Sequence, residues 1–244
     1  MVLSKYTADQ NIATVTSHGP TVYNLGNITW VLVSAGLVFL MVPGIAFFYS
    51  GLLRRKNALT MLAMLMAVMA VASIEWFFWG FSLSFSEGAS SFIGDLKHFG
   101  LMHVDMDVAT GGSTIPQLVY CVYQMMFAAL TPAIACGAFA DRARMGPVLL
   151  FTFCWSTIVY NPIACWTWNV DHGWSEKLGN LDYAGGTPVH ISSGTAALVI
   201  SLYLGRRRGY GTEALTYRPH NITYAVSYTH LRAHETEADL VCRL

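Results

Sequence analysis

The sequence predicts an all-α integral membrane protein, and three observations carry that prediction. Apolar residues fill 54% of the 244 positions and charged ones only 11%. The mean hydropathy of +0.45 lies well above what a water-soluble domain needs. The apolar residues gather into five runs, each close to the roughly 20 residues that a helix needs to cross the hydrocarbon core.

The elements follow in chain order. Residues 1–27 are polar and mixed, and the first long apolar run begins only near Leu25, so nothing here looks like a cleavable secretory signal. The spans are expected from Ile28 to Ser50, Leu59 to Phe85, Ile115 to Ala140, Pro147 to Trp168 and Gly186 to Leu204. Within them the ionisable side chains of acid or base type are Glu75 and His190, whereas a water-soluble helix of such length would carry a charged face. After His220 a sixth span begins with Ile222 to Val226 and then turns into Tyr228-Thr229-His230-Leu231-Arg232, which cannot continue across a bilayer. Residues 28–226 thus make one membrane domain. Residues 227–244 read as adapter or vector sequence on a truncated gene, with an amphipathic tail as the alternative.

Orientation comes from the loops. Those after the first, third and fifth spans carry Arg54-Arg55-Lys56, Arg142-Ala143-Arg144 and Arg206-Arg207-Arg208, which places them in the cytoplasm and the N-terminus outside. The opposite loops hold Glu87, Asp95, Asp105, Asp107, Asp171, Glu176 and Asp182, a charge pattern that would concentrate a cation.

Composition also excludes. Fourteen Lys plus Arg balance 14 Asp plus Glu, so no basic excess exists to neutralise nucleic acid. The 5 cysteines form no C-x-x-C pair and most sit in apolar runs, which argues against a disulfide framework or a zinc site.

The most specific segment is Asp182-Tyr183-Ala184-Gly185-Gly186-Thr187-Pro188-Val189-His190. It predicts a tight approach to a helix start, with Thr187 as N-cap and Pro188 in the first turn. His190 then lies about 16 residues, or roughly 24 Å, from Arg206, in the outer half of the membrane and facing inward. An ionisable group at that depth marks a pathway by default, or else is a histidine hydrogen-bonded to a neighbouring helix. Asp182 either accepts backbone N–H groups near Gly185 and Gly186 or contacts a cation. Glu75 needs a partner or a wet cavity. Tyr123 and Phe127 share a helix face, and Trp166 and Trp168 end the fourth span on the outer side. Interfacial belts explain Trp166. Aromatic faces beside acidic loops would hold a small cation, at about 0.5 to 2 kcal/mol per favourable contact.

In order and spacing, Pro43-Gly44-Ile45-Ala46-Phe47-Phe48-Tyr49-Ser50-Gly51-Leu52, Tyr123-Gln124-Met125-Met126-Phe127-Ala128, Asn161-Pro162-Ile163-Ala164 up to Trp168, and Asp182 to His190 resemble the ammonium transporter family. This is the Amt, Mep and Rh group, and the likeness is greatest to its fungal Mep-type members. The resemblance implies two five-span halves in inverted repeat, a pore between them and a final helix, assembled as a homotrimer in the plasma membrane. This chain would hold the first half and the start of a sixth span.

By the same resemblance Tyr123, Phe127 and Trp168 line an outer recruitment site for ammonium, and Phe127 is also one ring of the gate beneath. His190 is the first of two pore histidines and Asp182 the supporting acid, with no cofactor and no metal. The second pore histidine, the other gate phenylalanine and a serine of the recruitment site would lie in the absent half, so the chain alone is expected not to conduct.

A bare ammonium ion in a low-dielectric pore pays a large desolvation penalty that neutral ammonia escapes, so the expected order is binding, deprotonation and passage along a histidine-lined pore. Two rivals remain: an ammonium sensor that does not transport, and an intramembrane enzyme using His190 with Glu75 or Asp182. The latter lacks an H-E-x-x-H or G-x-S-x-G motif.

Overall fold

The structure is a computed structural model and describes residues 5–6, 11–16, 19–88, 90–104, 114–207, 210 and 219–226. The tail expected at 227–244 lies outside the described residues, as do Asp105, Asp107 and Arg208. Among the described residues five helices are long and apolar enough to cross a membrane: α1 (Leu25–Leu52), α2 (Arg55–Phe85), α3 (Gln117–Phe139), α4 (Met145–Trp168) and α5 (Gly186–Leu204). The expected spans sit inside or within a few residues of these. The largest difference is at the start of α2, where Arg55 and Lys56 join the helix because long basic side chains reach out of the apolar zone.

The N-terminal segment, read only as polar and mixed, is extended. Strands β1 (Lys5–Tyr6), β2 (Asn11–Thr16) and β3 (Gly19–Asn24) form an antiparallel sheet in the order β1-β2-β3, with Asn11 opposite Asn24 and Thr16 opposite Gly19. The β-branched content of Ile12, Thr14, Val15, Thr16, Thr21 and Val22 favours that conformation. Asn24 ends β3 and caps α1, its side-chain oxygen accepting the Asn27 N–H at 3.0 Å.

Helices α1, α2 and α3 pack on one another around Val38, Val42, Ile45, Leu65, Val68 and Leu130. Helix α3 is central, with 61% of its apolar window buried, whereas α5 has only 28%, leaving Ile191, Leu198, Val199, Leu202 and Tyr203 exposed. Two of the long helices are interrupted by a π-turn, α2 at Trp76–Gly80 and α4 at Ser156–Tyr160, and a third opens α5 at Gly186–Ile191. Such single-turn insertions change which residues face the neighbouring helix.

The basic end of the bundle is laced together. Arg54 pairs with Asp141 at 3.6 Å, and the Asn57 side-chain amide donates to the same carboxylate. Arg142 donates to the Gly205 carbonyl at 2.6 Å, satisfying the end of α5 where a helix favours positive charge. Residues 222–226 are helical and lie against the end of α1, where the Asn221 N–H donates to the Gly51 carbonyl at 3.2 Å and the Tyr224 ring meets Phe47 edge-on at 5.4 Å. At the acidic end Trp166 donates to the Phe92 carbonyl at 2.7 Å and stands 5.8 Å from the Trp174 ring.

Candidate functional site

The i, i+4 spacing on α3 sets Tyr123 and Phe127 edge to face, ring centroids 5.0 Å apart. Phe127 in turn meets the ring of Trp168, at the end of α4, edge-on at 5.9 Å. The Trp168 indole is fixed by donating its Nε1–H to the Asp182 carbonyl at 2.7 Å.

Asp182 itself is anchored by α5. One carboxylate oxygen accepts the Gly186 N–H at 2.7 Å and the other the Thr187 N–H at 2.6 Å. The chain reaches this geometry through Gly185, whose φ of +71° lies in the left-handed region. A Cβ on Gly185 would stand 2.9 Å from Val189 and 3.1 Å from the Trp168 ring. The expectation of Thr187 as N-cap is therefore corrected: Gly185 occupies the cap position, and Asp182, three residues earlier, supplies the acceptors that a Thr187 hydroxyl was expected to provide. Pro188 falls in the first turn as expected.

Tyr123, Phe127, Trp168 and Asp182 all line one cavity of about 240 Å³, together with Tyr120, Gln124 and the acid Glu176. Gln124 donates to the Tyr120 hydroxyl at 3.1 Å, while its Oε1 is buried and has no donor among the described residues. A cavity walled by ring faces, with an acceptor and two acids, suits a small cation that can donate hydrogen bonds. A wider apolar groove of about 520 Å³ runs between α4 and α5 beside Trp155 and Ile191, away from these polar groups.

His190 does not line that cavity. It is exposed on the first turn of α5, and its Nδ1 lies 3.2 Å from the Gly185 carbonyl. The sequence expects it to face inward, whereas among the described residues its side chain is exposed.

Glu75 has the partner that its burial demands. Its Oε1 accepts from the Asn161 side-chain amide at 2.7 Å and from the Thr157 hydroxyl at 3.0 Å. The sequence names Gln124 and Asn161 within motifs and Glu176 among the loop acids, but assigns none of them a place in the site. For Asn161 a signal existed, since it is the sole Asn or Gln of α4 and a buried acid needs such a group.

A sequence profile described as the Ammonium Transporter Family matches residues 29–229. The chain belongs to the ammonium transporter family. It is 52% identical to "Ammonium transporter 1" of Schizosaccharomyces pombe over 204 residues, covering 84% of this chain and 40% of that relative. The crystal structure of Candida albicans Mep2 is similar with a TM-score of 0.80 at 39% identity, over 89% of this chain and 48% of the other. A structure named "Sensor Amt Protein" is similar with a TM-score of 0.78 at 25% identity, over 87% of this chain and 53% of that one. The chain thus spans less than half the length of the curated ammonium transporters it matches here. The family's relatives are named as transporters, not as enzymes.

Proposed function

We propose that this chain forms the outer recruitment site and the first half of the pathway of a fungal-type ammonium permease. The observation that carries the reading is the convergence of Tyr123, Phe127 and Trp168 on the Asp182 loop around a single cavity. Glu176 and Asp182 draw the cation to the acidic end, and the ring faces replace part of its water shell. The buried Oε1 of Gln124 supplies an acceptor for an N–H of the ion. Transfer of the ion's proton to bulk water at the acidic mouth of the cavity leaves neutral ammonia to pass the Phe127 ring, since the ion itself would pay the full desolvation cost deeper in.

His190, exposed on α5 just beyond Asp182, then meets the substrate where α5 faces helices that this chain does not contain. The same exposed face supports the reading that the 244-residue chain by itself does not conduct. The reading includes a plasma membrane location, the N-terminus outside, the loop at Arg54 inside, and a homotrimer for the complete protein.

The test is a chimera joining residues 1–221 to the remaining helices of the fission yeast relative, produced in a host that lacks its own transporters. Growth on low ammonium, lost in Trp168→Ala with surface expression retained, supports the reading. Unimpaired growth of Trp168→Ala removes the cavity from it. A sensor reading is favoured by the likeness to the protein named Sensor Amt. A chimera that binds ammonium in the same cavity, yet accumulates no methylammonium, would select it.

A further inference from the structure

Glu75 and Asn161 lie 86 residues apart in sequence and meet where the two interrupted helices face each other. Glu75 immediately precedes the π-turn of α2, and Asn161 immediately follows that of α4. The carboxyl is fully buried, and its hydrogen bonds are lopsided. Oε1 receives both Asn161 and Thr157, whereas Oε2 is buried with no donor among the described residues. Thr157 cannot strengthen the set much, because its single hydroxyl hydrogen is shared between Oε1 and the Phe153 carbonyl at 3.1 Å.

Among the described residues no positive group faces this acid. From α2 it is bordered by Trp76, Trp79 and Gly80, and from α4 by Thr157 and Asn161. The titratable neighbour is Tyr160 on α4; Cys121 on α3 lies beyond Trp76, whose indole N–H its carbonyl accepts. The side-chain ion pairs among the described residues, Arg54 with Asp141 and Lys97 with Glu87, lie elsewhere.

The Asn161 carboxamide has the complementary defect. Its Nδ2 is used by Glu75, while its Oδ1 is buried and has no donor among the described residues. A carboxylic acid and a primary carboxamide present matching edges, each with one donor and one acceptor. Protonation at Oε2 would turn one orphaned oxygen into a donor of the kind the other lacks, whereas an ionised carboxylate offers no donor at all.

We propose that Glu75 works in its acid form, as half of a carboxylic acid–carboxamide pair with Asn161, and that this pair is the clasp that joins α2 and α4 at their π-turns. Glu75 is then a positioning residue: it touches no substrate and lies outside the aromatic cavity. The inference is independent of whether the chain carries ammonium. Space for the acid is made by Gly80, since a Cβ there would stand 2.8 Å from Oε2 and 3.0 Å from the Trp76 ring.

The test is infrared spectroscopy of the 244-residue chain in lipid vesicles, together with its thermal midpoint. The expected result is a carbonyl band of a protonated, hydrogen-bonded carboxyl that persists from mildly acidic to mildly basic buffer and vanishes in Glu75→Gln. That variant, whose amide can donate from the Oε2 position, should keep the wild-type helical circular dichroism and midpoint, while Glu75→Ala lowers the midpoint. In Asn161→Ala the band should move toward that of a free acid. Absence of any band lost in Glu75→Gln, or its appearance only after monovalent cations are stripped away, would overturn the proposal. Equal loss of midpoint in Glu75→Gln and Glu75→Ala would do the same, because a neutral donor would then fail to replace the acid.

Discussion

The indole N–H of Trp168 donates to the backbone carbonyl of Asp182 at 2.7 Å, while the side chain of that same Asp182 accepts the first N–H groups of α5. One residue therefore couples the end of α4 to the start of α5, using its main chain for one and its carboxylate for the other. Asp182→Ala should remove the caps and leave the Trp168 bond possible, costing about 1 kcal/mol of stability. Asp182→Asn, with one acceptor oxygen left, should cost less. Thermal midpoints of the purified variants check the order, and an unchanged Asp182→Ala midpoint would show that the caps contribute nothing.

His190 separates a substrate-handling role from a packing role. In the chimera described above, His190→Ala should abolish most methylammonium uptake without loss of surface expression. His190→Glu should retain flux but admit potassium, because it offers a fixed acceptor and negative charge at the same place. Equal rate and selectivity in wild type, His190→Glu and His190→Gln would sink the pore assignment.

The charge pattern of the loops predicts their side. With Cys154 and Cys242 replaced, a Ser91→Cys variant in intact cells should react with an impermeant thiol reagent and a Lys56→Cys variant should not; both positions are exposed. Labelling of the second alone would invert the topology.

In the loop that follows α2, the Asp95 carboxylate is held below its usual range first by the Lys97 backbone N–H, donated at 3.0 Å, with Ser86, His98 and the Lys97 charge assisting against partial burial. A carboxylate depressed in the folded state stabilises it above its unfolded value of about 3.9 and loses that contribution as pH falls through the folded value. Proteolysis of the loop between Ser86 and Val104 should therefore accelerate in that acid window. Asp95→Asn should flatten the dependence, and a pH profile identical to wild type would refute the role.

The spans were legible because the hydrocarbon thickness imposes a length and an absence of charge that any reader of the sequence can count. The aromatic trio was legible in part, since Tyr123 and Phe127 share one helix and their spacing is local. Its junction with Trp168 depends on how α3 and α4 pack, which spacing does not encode. The cap of α5 was misread for a backbone reason: the nearest hydroxyl was assigned, whereas the positive φ of Gly185 brings a more distant carboxylate to the same N–H groups. The need of Glu75 for a partner could be stated from its burial cost, but choosing Asn161 required knowing which faces the two π-turns present to each other.

Those π-turns carry a consequence for gaps in the sequence. Each residue of a helix advances its neighbours by about 100° around the axis. Letting the Trp76–Gly80 turn regain ordinary winding with all its residues kept would swing Phe81 and Phe85, both fully buried, by about that angle out of their seats, whereas deleting one position at the same time would leave them near those seats. Ordinary winding of Ser156–Tyr160 at unchanged length would likewise turn Trp168 away from Phe127. Exchanging side chains in these windows alters contacts one at a time, but winding and length are tied together there: losing a π-turn re-aims everything beyond it unless one residue is lost with it.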